Sequence, residues 1–563
     1  MKKILFFAIV FLVLFPIANV KAANAGDMVN FNVDKNYDVT ARSQVTALLV
    51  KTVPNLYFYI EKSWWDAQSL SRQNEVLHNL DGLSQEFNDK IYPTLTSFYG
   101  FEARPGIDSD NNITILFESV NNNLGGYFRS ADEYSKLQAP DSNEREMLYL
   151  PIAQIDSAQL KVFLAHEFVH LIEANQKERL KGVQEEVWLS EARSDYASTL
   201  LGYDDTYEGS NLQRRVQDFL SQPGDSLTEW QGTKYDYAIE SVFMHYLVDH
   251  YGVAVLTDSL HSKLTGIPSL NEVLAKNGAQ ETFSQIFANW TISVVLNNCT
   301  NGVKYCFINK NLSSLKINPN LIFLPLVGSS SLSISNAVKD WAGSWQKIIG
   351  GSGDLTLEFS GLGGLVFKVP YIIYDKNNTY TVNFLNLDKD GKGQIDIKNF
   401  GSRYNSLVIM PSLQSKISGF GGAEIARSYS FVVSITGDIV QENPASVKDL
   451  MAQIDALKKQ IALLEQGKTP AACTAITGNL VIGMAGSQVT CLQQFLKTQG
   501  PDIYPEGLVT GFFGNLTKMA VMRFQEKYKA EVLAPINLLQ GTGFVGILTR
   551  QKINQLLKFT PTP

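Results

Sequence analysis

The apolar positions of this chain change period several times, and each change marks a part. Residues 23–45 are polar and give no period, which predicts an extended lead-in. Over residues 67–100, Leu70, Val76, Leu77, Leu80, Leu83, Phe87 and Ile91 recur at helical spacing, and the run ends at Tyr92-Pro93. Ile113-Thr-Ile-Leu-Phe117 and Met147-Leu-Tyr-Leu-Pro151 predict short strands. A helix follows from about Ser157 to Gln176. After a loop over 177–184, a second helix carries Glu191 and Asp195. A third runs from Tyr237 to Tyr251 with Phe243, Tyr246 and Leu247 on its apolar face, and helices continue to about Asn298. From about Pro319 to Gly437 the period drops to two. Leu355–Phe359, Thr379–Phe384 and Tyr429–Val433 alternate with Gly/Ser/Asn turns, which predicts a β-sandwich. Leu450, Ile454, Leu457, Ile461 and Leu464 then form a short heptad seam, ended at Gly467–Pro470. Either a single helical spacer or a dimeric coiled coil over 445–467 satisfies it. In the last segment Gly511-Phe-Phe-Gly-Asn-Leu-Thr517 returns as Gly543-Phe-Val-Gly-Ile-Leu-Thr549, each copy leading into a helix.

At 563 residues the chain is too long for one core and should divide into three or four domains. With 45% hydrophobic and 18% charged residues it has an ordinary globular composition. A net charge of -7 provides no basic field, which argues against nucleic acid as a partner. Lys2-Lys3, the apolar run Ile4–Ile17 and Val20-Lys21-Ala22 have the form of a cleaved signal peptide. The run is shorter than the ~20 residues of a membrane span, so an exported, soluble protein without a lipid anchor is expected. The four cysteines fit that compartment. Proximity favours the pairs 299–306 and 473–491 among three connectivities, each bridge contributing about 2.5–3 kcal/mol.

The chemistry concentrates at His166-Glu-Phe-Val-His170. Positions four apart share a helix face, so two imidazoles point at one place with Glu167 beside it. A catalytic zinc needs a third ligand and one open position. Glu191, on the next predicted helix in Trp188-Leu-Ser-Glu-Ala-Arg-Ser-Asp195, is placed to supply the ligand. Asp195, one turn on, is expected to accept the outer N–H of a ligand histidine. Two acidic loops suggest Ca2+. In Asp388-Lys-Asp-Gly-Lys-Gly393, Lys392 and Asn399 stand where carboxylates are wanted, and a hairpin turn reads better. Asp108, Asp110 and Asn112 are the better calcium candidate, though a turn is favoured there as well.

HExxH followed by E-A-x-S-D resembles the thermolysin-like, or gluzincin, metallopeptidases, and the stretch from about Tyr57 to Gly252 resembles their hyicolysin-type branch. The resemblance implies an α+β catalytic domain, strands before zinc helices, with an edge strand that binds substrate backbone. It implies Zn2+ on His166, His170 and Glu191, Glu167 as general base, and a downstream tyrosine or histidine facing the oxyanion. Tyr237 fits that role best and Tyr235 is the alternative. His245 and His250 point to neighbouring turns, while His78 and His261 read as surface or satisfied histidines. The order G-x-x-V-x-x-L-Q-x-x-L from Gly486, then G-x-F-G-x-x-T-x-x-A-V-x-x-F-Q over Gly511–Gln525, then G-x-V-G-x-x-T resembles the small α-helical peptidoglycan-binding domain. It departs from that pattern at an insertion over Lys529–Gly541. The expected layout is signal peptide 1–22, lead-in 23–45, metallopeptidase 46–316, β-sandwich 317–442, helical or coiled-coil linker 443–470 and peptidoglycan-binding domain 471–560. Three functions remain open: an exported, wall-associated zinc endopeptidase acting on proteins, a peptidoglycan crosslink peptidase, and an inactive wall-binding protein. The resemblance favours the first.

Overall fold

The computed structural model describes residues 24–437 and 475–557, apart from positions 122, 123, 327, 485, 506, 508, 510, 512, 537 and 539. It divides into two compact units, Met1–Val440 and Gln441–Pro563. The signal peptide and the heptad seam of 445–467 lie outside the described residues. The first unit combines helices with sheets and the second is helical, so the chain is multidomain α+β.

The first unit opens with a six-stranded sheet: β1 (Met28–Asn32), β2 (Gln44–Val53), β3 (Leu56–Glu61), β4 (Ile113–Glu118), β5 (Tyr127–Phe128) and β6 (Met147–Pro151). Their order is β1-β2-β3-β4-β6-β5. β3, β4 and β6 are parallel, while β1, β2 and β5 pair antiparallel. This corrects the lead-in. Val29, Phe31 and Val33 alternate with Asn30, Asn32 and Asp34, and Phe31 and Val33 are buried against Val45, Ala47 and Tyr59. The alternation is only three residues deep among polar neighbours, which hid the strand.

The helix expected over 67–100 forms in three pieces, Leu70–Glu86, a wide π turn Phe87–Ile91, and Tyr92–Tyr99. Pro93 does not end it. It follows directly on the wide π turn, where the helical bonding pattern shifts by one residue, so the chain stays helical on both sides of it. The later helices Leu160–Glu173, Val187–Leu200, Lys234–Tyr251 and Phe283–Leu296 pack into one large apolar core with the sheet.

The β-rich region holds β7 (Asn320–Leu324), β8 (Ser330–Val338), β9 (Gln346–Gly350), β10 (Gly353–Gly361), β11 (Phe367–Lys368) and β12 (Pro370–Asp375). It continues with β13 (Tyr380–Phe384), β14 (Lys392–Phe400), β15 (Tyr404–Ile409), β16 (Ser412–Leu413) and β17 (Arg427–Thr436). One layer runs β13-β12-β15-β9-β7 and the other β14-β10-β17-β8, joined among the described residues through the strand pair Phe400–Tyr404. Leu355, Leu357 and Phe359 from one layer share a core with Leu407 and Ile409 from the other. Period-two alternation sends Val408, with Ile372 and Met410, to the opposite face, where they join the core of the helices. Trp345 closes that seam by donating its indole N–H to Thr291 O at 2.9 Å. The Asp388–Gly393 segment is a turn, its Asp388 carboxylate accepting the N–H groups of Asp390 and Lys392 at 2.9 Å. It is not a hairpin, because β13 pairs with β12 while β14 pairs with β10.

The second unit explains its own repeat. Helices Ser487–Thr498, Asn515–Lys527 and Ile547–Leu557 surround Leu492, Phe495, Val521, Phe524 and Ile553. Buried Gln493 accepts the N–H of Gly511 at 2.8 Å and donates to Thr517 Oγ1 at 2.9 Å. Buried Gln525 repeats both contacts with Gly543 at 2.9 Å and Thr549 at 3.0 Å. Each glutamine thus ties the next glycine turn to the threonine of the following helix. Such buried amides need every partner they have.

Candidate functional site

His166 and His170 lie one turn apart on the helix Leu160–Glu173 and face Glu191 on Val187–Leu200. His166 Nε2 is 3.2 Å from Glu191 Oε2 and 3.2 Å from His170 Nε2, and His170 Nε2 is 3.7 Å from Glu191 Oε2. Zinc bonds of about 2.0–2.1 Å at tetrahedral angles place donors about 3.3 Å apart. The three donors therefore fit that ion in spacing as well as in kind. The electrostatics agree. Burial pulls the His170 imidazole down, but the charge and hydrogen bond of Glu191 outweigh it and push it up to about 9. Burial raises the Glu191 carboxyl, yet His170 and the hydrogen bond from His166 hold it well below the usual range. The cluster favours positive charge at its centre.

Sequence reasoning missed what steadies these side chains. The outer nitrogen of His170 faces Ser190 Oγ at 3.1 Å and Ser194 Oγ at 3.3 Å. Both serines stand in the Trp188–Asp195 segment, so that signal was present. The two helices are locked by Arg193, fully buried, which bonds Glu173, Glu185 and Ser259, each at 2.9 Å. Lys177, also fully buried, pairs with Glu185 at 3.0 Å.

Asp195 departs from the expected arrangement. Its oxygens accept from Arg215 Nη2 at 2.8 Å and Nε at 3.1 Å, and from Asn211 Nδ2 at 2.9 Å. A guanidinium fork matches a carboxylate better than one imidazole N–H does. Arg215 in turn lies 4.4 Å over the ring of Tyr237, which stands edge-on to Trp230 and 6.3 Å from the His166 ring. Asp195 thus positions Arg215 and, through it, Tyr237. Burial, with Glu191 adding, raises the Tyr237 hydroxyl far above its ordinary value, so it remains a donor. Glu240, one turn on, is fully buried with neither oxygen partnered, and burial pushes its carboxyl well up.

Two cavities of about 690 and 340 Å³ meet over His166, Glu167 and Tyr237. The larger runs past Arg214 and Arg215, the smaller past Tyr37, Phe128 and His170. Gly125 and Gly126 line the larger cavity, and Gly126 with Tyr127 and Phe128 of edge strand β5 lines the smaller. A Cβ on Gly126 would stand 2.9 Å from Glu167 Cγ, and one on Gly125 would stand 2.7 Å from the Phe163 ring, so only glycine permits this approach. Burial raises the Glu167 carboxyl, opposed by His166 and His170. Tyr37 comes from the supposed lead-in and reaches the cleft against Tyr127 at 4.9 Å.

Of the two tyrosines, Tyr237 lines the cleft, while Tyr235 carries Lys234 over its ring at 5.1 Å. His245 is buried between Thr199 and Asn309, each at 3.3 Å, and burial drops it to about 4. His250 is bonded to Cys306 O, and His78 and His261 are exposed. At the calcium candidate, Asp110 accepts from Asn111, Asn112 and the Tyr57 hydroxyl, and Asp108 accepts from the Asp110 N–H. These oxygens close a turn and form no three-ligand cluster among the described residues. The Cys299–Cys306 bridge forms, with Cα atoms 5.1 Å apart. Cys491 is disulfide-bonded, and Cys473 lies outside the described residues. Among the described residues no helix is long and apolar enough to cross a membrane.

Comparison with known proteins adds two regions of likeness. Over 190 residues the chain is 30% identical to the neutral metalloprotease ShpI of Staphylococcus hyicus, covering 29% of this chain and 41% of that protein. The chain thus spans about two-fifths of that relative's length. Residues 485–532 match the family described as a putative peptidoglycan binding domain. Solved structures are matched weakly. The pre-peptidase C-terminal domain of collagenase from Bacillus anthracis aligns at 6% identity over 21% of this chain and 96% of its own, with a TM-score of 0.14. The Aeromonas hydrophila lysozyme inhibitor PliG aligns at 12% identity over 21% and 100%, also at 0.14. Scores this low carry nothing about this chain. What the comparisons establish is a combination: a region similar to a neutral metalloprotease, and near the C-terminus a peptidoglycan-binding domain.

Proposed function

We propose that this chain is an exported, cell-wall-associated zinc endopeptidase that hydrolyses peptide bonds of protein substrates. The observation that carries the reading is the convergence of His166, His170 and Glu191 within 3.2–3.7 Å, with Glu167 beside them in an open cleft. These three residues would hold the metal, which when bound supplies Lewis acidity and brings a water's pKa to about 7. Glu167 takes the proton of the attacking water and hands it to the leaving amine, a role suited to a carboxyl raised by burial. Tyr237 donates its hydroxyl to the developing oxyanion, a contact of about 2.7–4 kcal/mol in other enzymes. Arg215 keeps that ring in place. Edge strand β5 offers unpaired backbone groups to an extended substrate, and the cavities on both sides of Glu167 suit a cut within a chain. The C-terminal segment 471–560 would hold the enzyme at peptidoglycan and raise its local concentration at wall or surface substrates.

Purified full-length protein incubated with casein and with isolated sacculi, with and without a zinc chelator, tests this. Casein should be cleaved and the chelator should stop it. Crosslink peptides released from sacculi with casein intact would transfer the reading to wall remodelling. No cleavage of either would leave an inactive wall-binding protein.

A further inference from the structure

The two cavities that meet over Glu167 carry opposite charge. The larger is lined by Arg214, Arg215 and Lys234, with Glu167 and Asp195 as its acids. The smaller is lined by Glu173, Glu178, Glu185 and Glu191 besides Glu167, and among the described residues by no lysine or arginine. Most of these charges are already matched. Asp195 holds Arg215 at 2.8 Å, and Asp218 holds Lys234 at 2.6 Å. Glu173 and Glu185 share Arg193, Glu185 also holds Lys177, and Glu191 faces the histidines. One charge on each side is left over. Among the described residues Arg214 has no carboxylate in ion-pair contact, and its Nη2 donates to Asn211 Oδ1 at 2.5 Å. Glu178 has no basic partner among them either, and accepts only the Tyr134 hydroxyl at 3.4 Å. Burial and the neighbouring Arg215 pull the Arg214 guanidinium down, while burial and Glu173 push the Glu178 carboxyl up. Each gains from a counter-charge that the chain does not itself provide.

We infer that the cleft selects peptide segments of opposed charge, with an acidic side chain beside Arg214 and a basic side chain beside Glu178, on opposite sides of the bond that lies over Glu167. The inference rests on the endopeptidase reading and names its substrate class. Its basis is the pair of unmatched charges, one in each cavity, with Glu167 common to both. A peptide added to edge strand β5 runs in a fixed direction, so its side chains enter the two cavities in a fixed order. The reverse order sets acid against Glu178 and base against Arg214, and like charges brought together reject it. Neither Arg214 nor Glu178 bonds His166, Glu167, His170 or Glu191. They therefore choose which segment binds and take no part in breaking the bond.

The test uses full-length protein carrying Glu167→Gln, so that peptides bind without being cut. Two labelled synthetic peptides of one composition serve as probes, one with glutamates before an alanine centre and lysines after it, the other in the reverse order. Equal net charge removes any general attraction from the comparison. One order should bind about tenfold tighter, the yield of two partly screened ion pairs, and high salt should narrow the gap. Arg214→Gln and Glu178→Gln should each shrink the preference, and Arg214→Glu/Glu178→Lys should reverse it. Equal binding of the two orders overturns the inference, as does binding of neither. So does a preference that survives either glutamine variant unchanged. Casein cleavage by the wild type is followed in parallel. Cleavage without a charge preference sinks the inference and keeps the endopeptidase reading, whereas a preference without cleavage keeps the charged cleft and sinks the endopeptidase reading.

Discussion

The His166–His170–Glu191 and Asp225–Glu229–Asp236 clusters each bring three donors within 4.8 Å of one another. They lie in the same unit, separated in sequence by the helix Asn211–Ser221, and differ in exposure and donor type. The first mixes imidazoles with a carboxylate, is half-buried, and faces a cleft through which substrate and water can enter. The second is all carboxylate, sealed, and partly neutralised by Lys339. An ion that must do chemistry needs an open position and borderline ligands. Burial and donor type thus set a half-buried cluster suited to a reactive ion apart from a sealed carboxylate cluster paired with a lysine.

The sharpest way to break the comparison is at the reactive cluster. Glu167→Gln should lower kcat by about 10²–10⁴-fold while the metal content stays that of the wild type. A variant within threefold of the wild-type rate would mean that another group is the base. Tyr237→Phe should cost about 10²–10³-fold in kcat with KM little changed, as expected for a donor used mainly in the transition state. An effect confined to KM would make Tyr237 a substrate-packing residue.

A smaller effect sharpens the contrast between reactive and structural charge. Arg193 lines neither cavity, yet it joins its own helix to Glu173 on the helix of His166 and His170 and to Glu185 in the loop between them. Arg193→Ala leaves Glu173 buried without its guanidinium and Glu185 with Lys177 alone, and should destabilise the unit by about 3–5 kcal/mol, measured by denaturant unfolding. A loss under about 1 kcal/mol, the worth of a surface pair, would show that the network is not what holds the helices. The smallest effect is in acid. Asp38 and Glu61 are held down to about 2, because hydrogen bonds from Arg42 outweigh the burial that would raise them. Their folded values lie below the ordinary 3.8 and 4.5. The stability they contribute is therefore present above about pH 4.5 and is lost as pH falls toward 2. Arg42→Met should flatten that part of the stability–pH curve, and an unchanged curve would remove this pair from the account.

The same two clusters show why the sequence was readable in one place and mute in another. His166 and His170 are one helical turn apart, so local periodicity alone puts them on one face, and Glu191 lies on the next helix of the core. Asp225, Glu229 and Asp236 sit on an irregular loop and a helix start, and Lys339 arrives from more than a hundred residues away. No periodic rule brings such groups together. Arg215 escaped for the same reason, since only the packing of three helices sets it between Asp195 and Tyr237. The strand at Met28–Asn32 is a different case, because its alternation was present but too short to stand out among asparagines. In the C-terminal unit the repeat was legible as a pattern, and its cause, a buried glutamine holding a glycine turn and a threonine, emerged only from the hydrogen bonds.

The central claim is that His166, His170 and Glu191 together hold one zinc ion. Elemental analysis of purified full-length protein, beside the Glu167→Gln and His166→Ala/His170→Ala variants, tests it most directly. The account predicts one zinc per chain in the wild type and in Glu167→Gln, and almost none in the double histidine variant, with that variant's fold preserved by circular dichroism. Zinc remaining near one per chain in the folded double variant would contradict it.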